Sequence, residues 1–135
     1  EAGFLTDTEY KTEYDKAYID ELLSELTGLG AKNIILTGVS YIEGKTGVVV
    51  FENGNYLYYE HEKISNGCHG TGDIYASAFT GALLKGKDAY TSAKIAADYV
   101  LECIKETQNK DENEEPHWYG AKFEPVLYKL IQALN

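Results

Sequence analysis

Apolar positions between Glu13 and Leu29 recur every three to four residues. Tyr18, Leu22, Leu26 and Leu29 form the stripe, and Ile19 and Leu23 widen it. That period predicts an amphipathic helix over Glu13–Leu29, stopped by Gly28 and Gly30. It is preceded by an apolar start at residues 1–5 and a polar, turn-like stretch from Thr6 to Thr12. The pattern then changes. Asn33–Val39 is a short apolar run without alternation, which suits a strand buried on both faces of a parallel sheet. Thr46–Glu52 and Tyr56–Glu60 are β-rich and flank Asn53-Gly54, a pair that tolerates positive φ at both positions. This predicts a hairpin, so the sheet turns antiparallel here.

Helical spacing returns after a glycine-rich stretch. A helix is expected over Gly72–Leu84, with Ala76, Ala78, Gly81 and Ala82 small enough for another backbone to approach closely. A second is expected from Asp88, as N-cap, to Lys105, burying Ile95, Ala96, Tyr99, Val100 and Ile104. Residues 107–116 are charged and read as a loop. A last helix is expected over Lys122–Leu134, with Pro125 in its first turn. The sum is an α/β layout with one strand that looks central. A sheet this short would leave an edge exposed unless further strands came before it.

The 135 residues, 44% hydrophobic, suit one globular domain, 1–135. The chain lacks Met altogether, its start included, which makes a fragment of a longer protein the expectation. A net charge of −10 repels phosphate backbones and anionic membranes, so neither nucleic acid nor a membrane is expected as partner. A nucleotide is anionic too, and would have to be held by local amides, a metal ion or a few lysines. Two cysteines make no disulfide framework, and no apolar run approaches the ~20 residues of a membrane span. A cytoplasmic location is the expectation.

The chemistry concentrates in Asn66-Gly-Cys-His-Gly-Thr-Gly-Asp73. Gly70 and Gly72 let the backbone approach a ligand, and the helix that follows presents amides without internal partners. Such an end favours a phosphate. A carboxylate there repels phosphate, so Asp73 makes sense if it faces a substrate hydroxyl and takes its proton. Taken alone, Gly-Thr-Gly-Asp favours a plainer reading, a glycine turn whose aspartate complements the helix dipole. His61 and His117 lack metal-ligand partners at suitable spacing. His69 reads either as a phosphate contact or as a loop histidine satisfying a nearby backbone group, while Cys68, Trp118 and Tyr119 read as structural, the last two docking the C-terminal helix.

The wider context alters that balance. The run from Gly70 to Gly86 resembles the second signature of the ribokinase-like kinases. Ile34-Ile-Leu-Thr-Gly38 resembles their strand ending in Thr-Gly. Ala93–Val100 resembles the helix after the signature, and Trp118–Glu124 the C-terminal segment of bacterial pyridoxal/pyridoxamine kinases. Glu1-Ala2 resembles the end of their Asn-x-Thr-Glu-Ala segment. The resemblance implies the C-terminal, ATP-binding half of a three-layer, Rossmann-like ribokinase fold, with a β-hairpin and C-terminal helices. It implies ATP and Mg²⁺, with K⁺ as a further candidate, a small pyridine or pyrimidine alcohol as acceptor, and a homodimer in the full-length protein.

By position, the resemblance makes the amides of Gly70, Thr71 and Gly72 an anion hole and Asp73 the catalytic base. Thr37 and Gly38 touch the ATP phosphates. His61, Glu62, Lys63 and Ile64 lie near the nucleotide, with Ile64 against adenine, and Glu1 helps hold Mg²⁺ through water. Thr71 departs from the commoner Asp-Thr-x-Gly-Ala-Gly-Asp form. The related hydroxymethylpyrimidine kinases often have Cys after His-Gly-Thr-Gly, so Asp73 favours phosphorylation of the 5′-hydroxymethyl group of pyridoxal, pyridoxine or pyridoxamine. His69-Gly-Thr-Gly72 keeps the hydroxymethylpyrimidine (phosphate) kinase of thiamine synthesis as the alternative. A non-catalytic nucleotide- or anion-binding module is the reading from another class. The fragment alone is expected to be inactive, because substrate-gripping residues would lie mostly outside it.

Overall fold

The computed structural model describes residues 1–64, 68–109 and 119–135. The chain divides into two compact units, Glu1–Glu62 and Lys63–Asn135.

The first unit opens with a short helix, α1 (Ala2–Thr6), where the sequence suggested only an apolar end. The next helix, α2, spans Lys16–Gly28. It starts three residues later than its apolar period implies, because Asp15 is extended and its carboxylate caps the amide of Tyr18 at 3.0 Å. Three strands follow: β1 (Asn33–Val39), β2 (Lys45–Glu52) and β3 (Asn55–Glu62). They form an antiparallel sheet in the order β1-β2-β3. The hairpin is where Asn53-Gly54 placed it, with φ of 50° and 81° at these residues.

The environment of β1 corrects the sequence reading. Among the described residues β1 pairs only with β2, antiparallel, and stands at the sheet edge. Only its Ile34 and Val39 are buried. The central strand is β2, whose Val48, Val49 and Val50 are at most 1% exposed. Tyr18, Ile19, Leu22 and Leu23 of α2 pack with Ile34, Val39 and Val49 into one core. Burying each such aliphatic side chain is worth roughly 1.5–3 kcal/mol.

The second unit is helical. Helix α3 spans Thr71–Leu84 and α4 spans Ala89–Gln108. Asp88 caps α4 as expected, accepting from the amide of Thr91 at 2.7 Å. The buried face of α4 is the expected one only in part, at Ala96 and Tyr99. Ile95, Val100 and Ile104 are half-buried, whereas Ser92, Ala93, Ala96, Ala97, Tyr99 and Cys103 are buried. Small residues win the interior because α3 contributes Ala78 and Ala82 and lets the two backbones come close. Tyr75 of α3 donates to the carbonyl of Ala93 across this seam at 3.2 Å.

The chain ends in a 3₁₀ turn, Glu124–Val126, and α5 (Leu127–Leu134), later and in two pieces compared with the single helix from Lys122. Pro125 sits in the 3₁₀ turn. Of the expected loop 107–116, Thr107 and Gln108 belong to α4, and positions 110–116 lie outside the described residues, as do His117 and Trp118. No helix among the described residues is long and apolar enough to cross a membrane.

Candidate functional site

In the second unit the chain enters the glycine turn through Cys68, which packs against the core of Ala78, Ala96, Tyr99 and Cys103. The carbonyl of the next residue, His69, accepts from the amide of Ala121 at 3.2 Å. Gly70 then takes the left-handed conformation, φ 81° and ψ 1°, and acts as N-cap of α3. Its carbonyl accepts the first helical bond, from Ile74, at 3.0 Å. Only a residue that tolerates positive φ makes this turn cheaply.

Having no side chain, Gly70 leaves the helix uncapped. Among the described residues, no acceptor reaches the amides of Gly70, Thr71 or Gly72. Asp73 lies in the first turn of α3 and is exposed. Its carboxylate has no hydrogen bond or ion pair to any described residue. Among the described residues, three donors and one acceptor therefore stand open side by side. A buried ion pair at Asp73, or amides consumed within the protein, would have excluded phosphoryl chemistry here. Neither is found among the described residues. Lys63 is exposed and Ile64 half-buried in the same unit, and Asn66 and Gly67 of the glycine stretch lie outside the described residues.

Two thiol and phenol groups nearby serve packing. Burial pushes the Cys103 thiol up to about 11 and Tyr99 up to about 12. Cys103 is thus a protonated core residue at neutral pH, and the Tyr99 hydroxyl donates to the carbonyl of Phe123 at 2.9 Å. Tyr119, expected to dock the C-terminal helix, is 67% exposed.

The first unit carries a cleft of about 470 Å³ along β1. Glu1, Thr37 and Gly38 all line it, so three sequence-selected positions do come together. Thr37 and Gly38 are exposed at the end of β1. Pairing runs Thr37 to Val48 and then Val39 to Gly47, which leaves Gly38 outside the ladder as a bulge with φ 74°. His61 and Glu62 end β3, and the His61 Nδ1 lies 2.9 Å from the carbonyl oxygen of Glu62.

A metal can be tested against this donor set. No group of three or more His, Cys, Asp or Glu side chains that could hold an ion exists among the described residues. Mg²⁺ commonly needs only one or two carboxylates when phosphates and water supply the rest. The exposed Glu1 fits that mode and not a closed protein cage.

One residue that the sequence did not single out belongs to this cleft. The Tyr14 hydroxyl accepts from the amide of Ser40 at 2.9 Å and lies 3.3 Å from the carbonyl of Gly38, to which it donates. Nothing in the spacing of twelve tyrosines marks it.

Comparison with known proteins places these features in context. The model of the family described as phosphomethylpyrimidine kinase matches residues 1–118. A hydroxymethylpyrimidine/phosphomethylpyrimidine kinase from Aquifex aeolicus is 28% identical over 110 residues, 80% of this chain and 42% of its own. A pyridoxine/pyridoxal/pyridoxamine kinase from Bordetella bronchiseptica is 30% identical over 86 residues, 62% of this chain and 30% of its own. Among solved structures, a Bacteroides thetaiotaomicron protein provisionally classed as a phosphomethylpyrimidine kinase superposes with a TM-score of 0.85 at 25% identity, covering 96% of this chain and 44% of its own. A second crystal form of that protein contains pyridoxal. The chain thus spans less than half the length of each of these relatives.

Proposed function

The chain belongs to the phosphomethylpyrimidine kinase family, and from that premise we propose that it supplies the phosphate-holding surface and the proton acceptor of an ATP-dependent kinase. Its fold, a mixed α/β arrangement with a three-stranded antiparallel sheet, is that of the ribokinase-like kinases it superposes on. The acceptor in this reading is the 5′-hydroxymethyl group of pyridoxal, pyridoxine or pyridoxamine.

The observation that carries the reading is the turn through Gly70, where amides that are open among the described residues stand beside an exposed Asp73 with no partner among them. The amides of Gly70, Thr71 and Gly72 hold the oxygens of the γ-phosphoryl group and stabilise their charge during transfer. Asp73 accepts the proton of the acceptor alcohol as its oxygen bonds to phosphorus and the bond to the ADP oxygen breaks. Thr37 and Gly38 contact the phosphates. His61, Glu62, Lys63 and Ile64 lie near the nucleotide, with Ile64 against adenine. Glu1 would help hold Mg²⁺ through water, and that ion would supply neutralisation of phosphate charge.

Since the chain spans 42% of the Aquifex relative, this activity is proposed for a protein in which residues 1–135 form the C-terminal half. The rest of that protein would grip the alcohol.

A pyridine alcohol is preferred because Asp73 follows Gly70-Thr-Gly72, and because the Bacteroides protein was crystallised with pyridoxal. The second reading, a hydroxymethylpyrimidine kinase, is favoured by His69-Gly-Thr-Gly72 and by the Aquifex relative. ADP release by the intact enzyme, with pyridoxal and hydroxymethylpyrimidine compared side by side, decides between them. Faster turnover of the pyrimidine would overturn the vitamin B6 assignment, and turnover of neither would overturn both.

A further inference from the structure

The end of β1 is held by a side chain from outside the sheet. Gly38 leaves the β1–β2 ladder as a bulge at φ 74°, so its carbonyl has no strand partner in that register. The Tyr14 hydroxyl donates to that carbonyl at 3.3 Å and accepts from the amide of Ser40 at 2.9 Å. One hydroxyl therefore bridges both flanks of Val39. Val39 itself is 2% exposed, and its carbonyl lies 3.3 Å from the Tyr58 hydroxyl.

Tyr14 is in turn well placed to act as a fixed post. It immediately precedes Asp15, whose carboxylate caps α2, so the start of that helix sets its position. Its ring lies 5.7 Å from that of Tyr18, tilted by 36°, and packs against the core of the first unit. Tyr18 is anchored separately by a 2.9 Å bond from its hydroxyl to the carbonyl of Glu9.

We propose that Tyr14 is a positioning residue for nucleotide binding: its hydroxyl fixes the Gly38 peptide so that Thr37 and Gly38 present the geometry that ATP phosphates require. The inference rests on the assignment of Thr37 and Gly38 as phosphate contacts. Without the hydroxyl, Gly38 keeps its glycine freedom at positive φ, and the bulge must be ordered anew each time a nucleotide binds.

The test compares Tyr14→Phe, Tyr18→Phe and Thr37→Val in the intact enzyme. Tyr14→Phe keeps the ring and removes only the bridge. It should raise the KM for ATP at least about fivefold, since it removes two hydrogen bonds and one net bond alone commands that change, while the KM for the alcohol and kcat change little. Amide hydrogen exchange at Ser40 should accelerate in the same variant, a readout that does not depend on turnover. Tyr18→Phe loses a comparable hydroxyl bond without touching the bulge, so it should lower the Tm and leave the KM for ATP unchanged. Thr37→Val should raise the KM for ATP.

An unchanged KM for ATP in Tyr14→Phe, beside a raised one in Thr37→Val, overturns the role of Tyr14 alone. An unchanged KM in Thr37→Val overturns the phosphate assignment and this inference with it. Equal losses in Tyr14→Phe and Tyr18→Phe reduce Tyr14 to a packing residue.

Discussion

The backbone amide of Ala121 donates to the carbonyl of His69 at 3.2 Å, tying the C-terminal segment to the residue that precedes Gly70. Ala121 is itself buried in the core of the second unit, so the tie is rooted. Ala121→Pro removes the donor. It is expected to lower stability by roughly 1–3 kcal/mol, from the lost bond and from ring strain at a buried site. Thermal denaturation with and without ATP-Mg²⁺ checks this, and the stabilisation by ATP should shrink in the variant.

Gly70 and Gly72 should respond in opposite ways to alanine. Gly70 sits at φ 81° with open space around a would-be Cβ, so the penalty is purely conformational, roughly 1–2 kcal/mol. Gly72 is helical without positive φ and equally uncrowded, so alanine there should stabilise α3 by about 0.5–1 kcal/mol. The substitution nevertheless adds bulk at a residue whose amide is open among the described residues, and affinity for ATP should fall. Urea unfolding and calorimetric titration of ATP together separate the two effects.

Gly47 is a different case, because the central strand has no room. An added Cβ would strike the carbonyl of Tyr59 and the ring of Tyr58. Gly47 pairs with Glu60 on one side and Val39 on the other, so β2 cannot shift without breaking a ladder. Gly47→Ala should cost roughly 3 kcal/mol or more, seen as a fall in the urea midpoint with little change in slope.

Acid should weaken the second unit partly through Glu102. Hydrogen bonds from Lys129 and Lys105 hold its carboxyl below the usual carboxylate range. A carboxyl depressed in the folded state adds stability at neutral pH, and that increment is lost as pH falls below the ordinary glutamate range through the lower folded value. Glu102→Gln should therefore be less stable than the parent at pH 7. The two should converge as pH drops through that range. A constant difference at every pH would remove Glu102 from acid unfolding.

The elements set by local chemistry were legible in the sequence. Asn53-Gly54 fixed the hairpin, since both residues take positive φ, and Asp88 fixed the start of α4 by capping it. The run Asn33–Val39 also gave its strand bounds correctly. Its surroundings were not legible, because an unbroken apolar run does not record whether its neighbour is parallel or antiparallel. The buried face of α4 was placed correctly at Ala96 and Tyr99 and misplaced elsewhere for a related reason. Hydrophobicity favours Ile95, Val100 and Ile104, whereas close helix packing favours Ser92, Ala93 and Ala97.

At the candidate site, the glycines and Asp73 were visible as a motif, and the structure adds that their polar groups stand open among the described residues. Tyr14 was invisible, because its value lies in a hydroxyl that reaches residues 24 and 26 positions away.

The Asp73 carboxylate lies in the first turn of α3, beside amides that are open among the described residues. Single-turnover and steady-state kinetics of Asp73→Asn in the intact kinase test its role as proton acceptor most directly. The expected result is a fall in kcat of about 10²–10⁴ with ATP binding retained, the loss that removal of a general base produces. Turnover at the parent rate, with the acceptor alcohol saturating, would contradict the account.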